Sequence, residues 1–179
     1  MKYGFPFSAK TFLTLVMMLL IVVAGCSRCS TSRSFKPYEK EAYYYIKNEI
    51  LKNDGRLVTY PDERVPAQQE LGVWPNDILA ESMGLALEYF ARTGMRREFD
   101  RTWWFVKNRM MAENGLVSWK FDAGTWKPLN SSAAIDDFRI VRALFTAYRA
   151  WPDGEYYGEA MKIGRAIKNC EVVEGYPVE

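Results

Sequence analysis

Apolar residues recur at helical spacing in separate segments of this chain, and each segment ends where a helix stops. The first such segment, Pro37 to Lys52, carries Ala42, Tyr45 and Ile46 and stops at Asn53-Asp54-Gly55. A second begins near Pro75 to Asp77, has the stripe Leu79, Met83, Ala86, Leu87 and Phe90, and ends at Thr93-Gly94. A third, Arg96 to Met111, carries Phe99, Trp103, Val106 and Met110 on one face. A fourth runs from Ala133 to Trp151, Pro152-Asp153-Gly154 turns the chain, and a fifth spans Glu155 to Asn169. Between the third and fourth, "GLVSWKFDAGTWKPLNSS" alternates apolar and polar positions around Ala123-Gly124 and reads as a small hairpin or extended excursion. "RLVTY" is a short extended piece in the loop from Gly55 to Trp74, and the tail from Cys170 to Glu179 has no evident element. The pattern predicts an all-α chain of antiparallel helix pairs, arranged as a bundle, a solenoid or part of a helical toroid. No repeat of fixed length is visible, which disfavours solenoids with a tight consensus.

A chain of 179 residues that is 49% hydrophobic and 15% aromatic builds a core, and its length suits one domain. Its 24 basic and 22 acidic residues leave a formal charge of +2, which supplies no electrostatic footprint for nucleic acid. There is no histidine. Ser-His-Asp and Cys-His catalysis and histidine metal sites are therefore excluded, and acid–base chemistry falls first to carboxylates. No ligand cluster and no Gly-rich phosphate loop implies a metal or an organic cofactor.

The N-terminal residues read as an address. Lys2 and Lys10 form a positive region, Phe12 to Ala24 an apolar one, and "VAGC" follows at Val23 to Cys26. The apolar run falls short of the roughly 20 residues of a membrane span. Residues 1–25 resemble a bacterial lipoprotein signal peptide, which implies that Cys26 carries the lipid and that the chain is exported and anchored to the cell membrane. A plain signal peptide or signal anchor is the alternative. Residues 26–36, rich in Ser and Arg, read as a tether, and residues 37–179 as the folded domain. Cys29 and Cys170 leave a disulfide open.

Two carboxylates stand at helix beginnings. On the fourth helix Ala134, Val141, Phe145 and Tyr148 define the expected apolar face, with Asp137 inside it and Asp136 turned away beside Arg139. A carboxylate on a buried stripe costs several kcal/mol unless it is paired or hydrogen-bonded. Asp137 is thus either a buried acceptor near a positive helix end or a group facing a polar cavity where a ligand completes it. Glu81 falls on the opposite side of its helix from Met83 and Phe90, with Gly84 and Glu88. It is either a solvated first-turn acid or an acid beside a gap that Gly84 leaves for a substrate.

"ESMGLALEYFARTGMRREFDRTWWFVKNRM" resembles glycoside hydrolase family eight, in which a Ser-Glu-Gly motif opens a helix and a Phe-Asp-x-x-Trp helix follows. "NDGRLVTY" is similar to that family's Gly-Arg-Val stretch and "GLVSW" to its Gly-Leu-hydrophobic-x-Trp turn. "SSAAIDDFRIVRALFTAYRAW" resembles its Ala-Thr-Asp-Ala-Asp helix. The likeness runs from about Tyr38 to Ile167. It implies an (α/α)6 toroid and inverting hydrolysis of a β-1,4-linked polysaccharide such as cellulose, xylan or chitosan. It implies Glu81 as proton donor in a dry environment, Asp137 as the carboxylate that holds the sugar, and Trp119 as an aromatic that stacks on it. Core packing is the other role open to Trp119. Three positions depart from the family pattern: Ala80 precedes the acid, Ser82 follows it, and Ile135 replaces the first Asp of the Asp-Ala-Asp run.

About five helices make an incomplete toroid where the family has twelve. The family's general base comes from the second half, and an inverting pair keeps its carboxylates roughly 6.5–9.5 Å apart. The expectation is therefore the N-terminal part of an exported glycosidase, inactive alone, whose second half is encoded downstream. The alternatives are a non-catalytic carbohydrate-binding envelope lipoprotein and a truncated, degenerate reading frame.

Overall fold

Each segment with helical spacing forms a helix in this computed structural model, which describes residues 37–59, 72–173 and 176–177. The signal segment, Cys26, Cys29 and the tether lie outside the described residues. Helix α1 is Pro37–Tyr45 and continues into a wider π-helical turn, Ile46–Ile50. Helix α2 is Ala80–Thr93, and α3 is Arg96–Phe105 with its own π-helical turn, Val106–Met110. Helices α4, Ala134–Ala150, and α5, Tyr156–Cys170, complete the order. The excursion between α3 and α4 is a hairpin of β2 (Lys120–Asp122) and β3 (Lys127–Pro128), and β1 (Ile78–Leu79) adds to it antiparallel, Ile78 opposite Phe121. After α5, β4 (Val172–Val173) pairs with β5 (Tyr176–Pro177).

Helix α2 begins at Ala80, later than the spacing predicts, because Asp77 is taken by other partners. Its Oδ1 accepts the Ala123 N–H at 3.0 Å and its Oδ2 the Trp74 N–H at 2.9 Å. Ile78 and Leu79 are then spent on the sheet, and the Ala80 N–H goes to the Trp119 carbonyl at 2.8 Å. The helix stops where expected, at Gly94, a left-handed C-cap.

Helices α2 and α4 lie side by side as an inner layer, with α3 and α5 folded back outside them. What lets the inner pair approach is Gly84, buried against Arg139 and Ile140. A side chain there would stand 3.1 Å from the Arg139 Cβ. The gap read beside Glu81 is therefore filled by α4. The contact also turns α4 away from its expected face. Its buried residues are Ala134, Asp136, Asp137, Ile140, Ala143, Leu144 and Ala147; of the expected face Ala134 is buried, whereas Val141 and Phe145 are half-buried and Tyr148 is exposed. Small Ala143 and Ala147 permit the close approach that larger side chains would block.

A repeat does emerge from the fold. Both π-helical turns lead into the same closed loop, bridged between Leu51 and Leu57 in one case and between Met111 and Val117 in the other. Lys52 N–H donates to Arg56 and Gly55 N–H to Lys52; Ala112 N–H donates to Leu116 and Gly115 N–H to Ala112. Asp54 and Asn114 each accept the N–H two residues on. Thr59 N–H then reaches the Asp77 carbonyl, as Trp119 N–H reaches that of Ser131. Gly55 is pressed onto the Arg101 carbonyl of α3, and Gly115 onto Ala166 of α5. Each loop thus docks on the next outer helix. The Lys-Asn of each π-helical turn (Lys47-Asn48, Lys107-Asn108) and the Asx-Gly pair survive in the sequence, too few identities to make the repeat evident there.

Candidate functional site

Within this repeat, Ala80-Glu81-Ser82-Met83 on α2 occupies the positions of Ala134-Ile135-Asp136-Asp137 on α4. Glu81 lies in the first turn of α2 with 52% of its side chain exposed, so its surroundings are wet rather than dry. Its Oε1 stands 3.3 Å from Arg139 Nη1, and the same nitrogen donates to Asp136 Oδ1 at 2.7 Å. One guanidinium therefore joins the tips of both inner helices. Burial raises the Asp136 carboxyl above its ordinary value, Arg139 opposes that rise, and the charge of Glu81 adds to it.

Asp137 is elsewhere. It is 0% exposed, and its Oδ1 accepts the Val117 N–H at 2.9 Å. Met83 Sδ does the same for the Leu57 N–H at 3.3 Å in the first repeat. Burial pushes Asp137 up to about 7 against that hydrogen bond, with Glu171 and Asp136 adding to the rise. So the structure brings Glu81 together with Asp136 and Arg139, and turns Asp137 into the interior. Of the two readings open for Asp137, the geometry is that of a buried acceptor, with no exposed surface to offer a sugar.

Trp119 is half-buried, and its carbonyl caps the helix that carries Glu81. Lys120 Nζ lies 6.0 Å from its ring centroid. That lysine is buried, and it ties the hairpin to the start of α2 through Asp77 Oδ2 at 3.0 Å and the Gly72 carbonyl at 2.6 Å. The Asp77–Lys120 pair and the Asp136–Arg139 pair are not among the residues that sequence reasoning selected. The second was readable as an i,i+3 pair of opposite charge. The first joins residues far apart in the chain and leaves no local signal. Among the described residues, no group of three or more His, Cys, Asp or Glu is placed to hold a metal ion.

A model of glycosyl hydrolases family 8 matches residues 11–178. The chain is 25% identical over 161 residues to the putative lipoprotein YdaJ of Bacillus subtilis (strain 168), covering 86% of this chain and 41% of that protein. It superposes on a novel alpha-amylase from Clostridium perfringens with a TM-score of 0.68 and 24% identity, covering 81% of this chain and 42% of the other. With endoglucanase Cel10, a family 8 glycosyl hydrolase from Klebsiella pneumoniae, the TM-score is 0.61 at 23% identity, over 74% and 40%. The chain thus spans less than half the length of these relatives, and its helices form part of an (α/α)6 toroid. With a family model running along nearly all of its sequence, the chain belongs to glycosyl hydrolases family 8.

Proposed function

We propose that this chain is the N-terminal part of an exported inverting glycoside hydrolase acting on a β-1,4-linked polysaccharide, with Glu81 as its proton donor. The observation that carries this reading is a solvent-open carboxylate on the tip of an inner toroid helix, capped by Trp119 and clasped by Arg139. In this proposal Glu81 protonates the leaving oxygen, Trp119 stacks on a sugar ring, and Asp136 takes the sugar-holding role expected of Asp137. Asp136 shares Arg139 with Glu81, whereas Asp137 is enclosed.

Asp136 does not suit the role of inverting base. Glu81 Oε1 and Asp136 Oδ1 lie within 3.3 Å of one nitrogen, which holds them closer than the roughly 6.5–9.5 Å that leaves room for a water. The base then comes from helices beyond those described, and the chain alone turns over no glycan. Reading the DNA that follows Glu179 for further helices and a second acid bears on where that base is encoded. The direct test is reducing-sugar release from soluble β-glucan, xylan or chitosan by the chain, with Glu81→Gln as control. Release that Glu81→Gln abolishes overturns the inactivity and upholds the acid; release that persists in Glu81→Gln overturns the acid itself.

One observation favours a second reading, a carbohydrate-binding envelope lipoprotein without catalysis: Arg139 already occupies the Glu81 oxygen. Retention on insoluble polysaccharide that depends on Trp119, without hydrolysis, supports it. Lipid anchoring at Cys26 is proposed from the lipobox-like "VAGC" and from the relative named a putative lipoprotein. Incorporation of a labelled fatty acid, lost in Cys26→Ser, is the expected result, and equal labelling of both forms refutes it.

A further inference from the structure

A second acidic pair lies inside the molecule, and it serves neither the Glu81 tip nor the helix caps. Asp137 spends Oδ1 on the Val117 N–H, and its Oδ2 is buried with no partner among the described residues. Glu171, the residue after α5, is 6% exposed. Its Oε1 accepts the Ser132 hydroxyl at 2.8 Å, and its Oε2 is also buried with no partner among the described residues. The repeat makes the pairing odder, because the fold needs only an acceptor at this place. In the first repeat a thioether, Met83 Sδ, is enough. The carboxylate brings an extra oxygen, and with it a charge.

The groups acting on Asp137 come from several elements. They are Asp136 on its own helix, Glu171 after α5, and the Val117 N–H from the loop that closes α3. No cation is among them in the described residues. Two buried carboxylates with unmatched oxygens and no countercharge are unfavourable unless something positive joins them.

We propose that Asp137 keeps its proton in the folded state and donates it from Oδ2 to Glu171 Oε2. The bond makes a pH-sensitive latch that fastens the segment after α5 to the inner helix and to the loop closing α3. The proton comes from solvent and returns to it. Once it has left, two carboxylates face each other and the latch opens, releasing the chain that leads into β4. A hard cation is the competing neutraliser, since an open cavity of about 250 Å³ lined by Asn114, Asn130, Ser131 and Ser132 reaches Glu171.

The test compares the full chain with its Asp137→Asn variant by urea unfolding from pH 4 to 8.5 in EDTA. The folded state holds a proton at Asp137 up to about pH 7, whereas the ordinary carboxylate releases it near 3.8. The stabilisation from the latch is therefore full below about pH 4, declines as pH rises towards 7, and is gone above that. The expected result is a ratio of unfolding constants, wild type over variant, that climbs across this window, at most on the order of a thousandfold, and then levels. Asp136 titrates in both proteins, so only its coupling to Asp137 enters the ratio. Amide exchange at residues 171–173, corrected for intrinsic rates, should quicken above pH 7 in wild type and not in Asp137→Asn. If Asp137→Asn does not fold, Asp137→Met, which copies the first repeat, is the comparator. A ratio that does not change with pH overturns the latch. A wild-type midpoint raised by calcium, with no rise in the variant, also overturns it and assigns the pair to a cation.

Discussion

Arg139 Nη1 is shared by a half-exposed acid and a buried one, and the two sides of that bond differ in consequence. Glu81, in water, loses little without it; Asp136 loses the cation that opposes its burial. Arg139→Met should raise the Asp136 carboxyl further above its ordinary value, measured by side-chain NMR titration, and destabilise the fold by about 1–3 kcal/mol. The Asp77–Lys120 pair is more demanding because both partners are buried. Lys120→Met leaves Asp77 charged inside, an expected loss of about 3–5 kcal/mol in chemical denaturation. Adding Asp77→Asn should recover part of that loss, since the two residues are coupled. At this scale Glu81 was legible from the sequence, as an acid in a helix's first turn. The choice between Asp136 and Asp137 was not. Neighbours on a helix point about 100° apart, and which of them faces inward depends on where α2 and the loop of Val117 come to lie.

The helices were readable because a stripe of apolar side chains and a stop signal are both local. Their ends were less so: α2 starts late because the hairpin claims Ile78 and Leu79. Packing between elements makes two glycine predictions. Gly84→Val should cost about 1–3 kcal/mol as α4 is forced away from α2, with a fall in midpoint at constant m-value. Gly55 and Gly115 hold the same left-handed conformation in the two repeats, φ +92° and +85°. An alanine at Gly115 would meet only Ala166 at 3.3 Å, whereas at Gly55 it would sit 2.1 Å from the Arg101 carbonyl. Gly115→Ala should cost about 1–2 kcal/mol for the backbone alone. Gly55→Ala should cost clearly more, and thermal unfolding of the two variants side by side checks the order.

Across the molecule, the repeat shows how the toroid is extended. Phe138 on α4 stands where Gly84 stands on α2, the place at which the next inner helix would pack, and it is 44% exposed. Tyr148, Tyr157 and Met161 are also exposed, Tyr148 and Tyr157 with ring centroids 5.3 Å apart. If the polysaccharide reading holds, Trp119→Ala should weaken retention on insoluble glycan about tenfold, a ring contact being worth about 0.5–1.5 kcal/mol beyond its area. By itself the sequence determined the helix count, the family and the acid at the α2 tip, since periodicity, stops and motif order are carried by residues close together in the chain. Tertiary structure alone decided that α4 fills the space beside Gly84. It alone placed Asp136 with Glu81 and enclosed Asp137 with Glu171. Those outcomes turn on contacts between residues distant in sequence, and a helical wheel records direction but not the neighbour that will be met there.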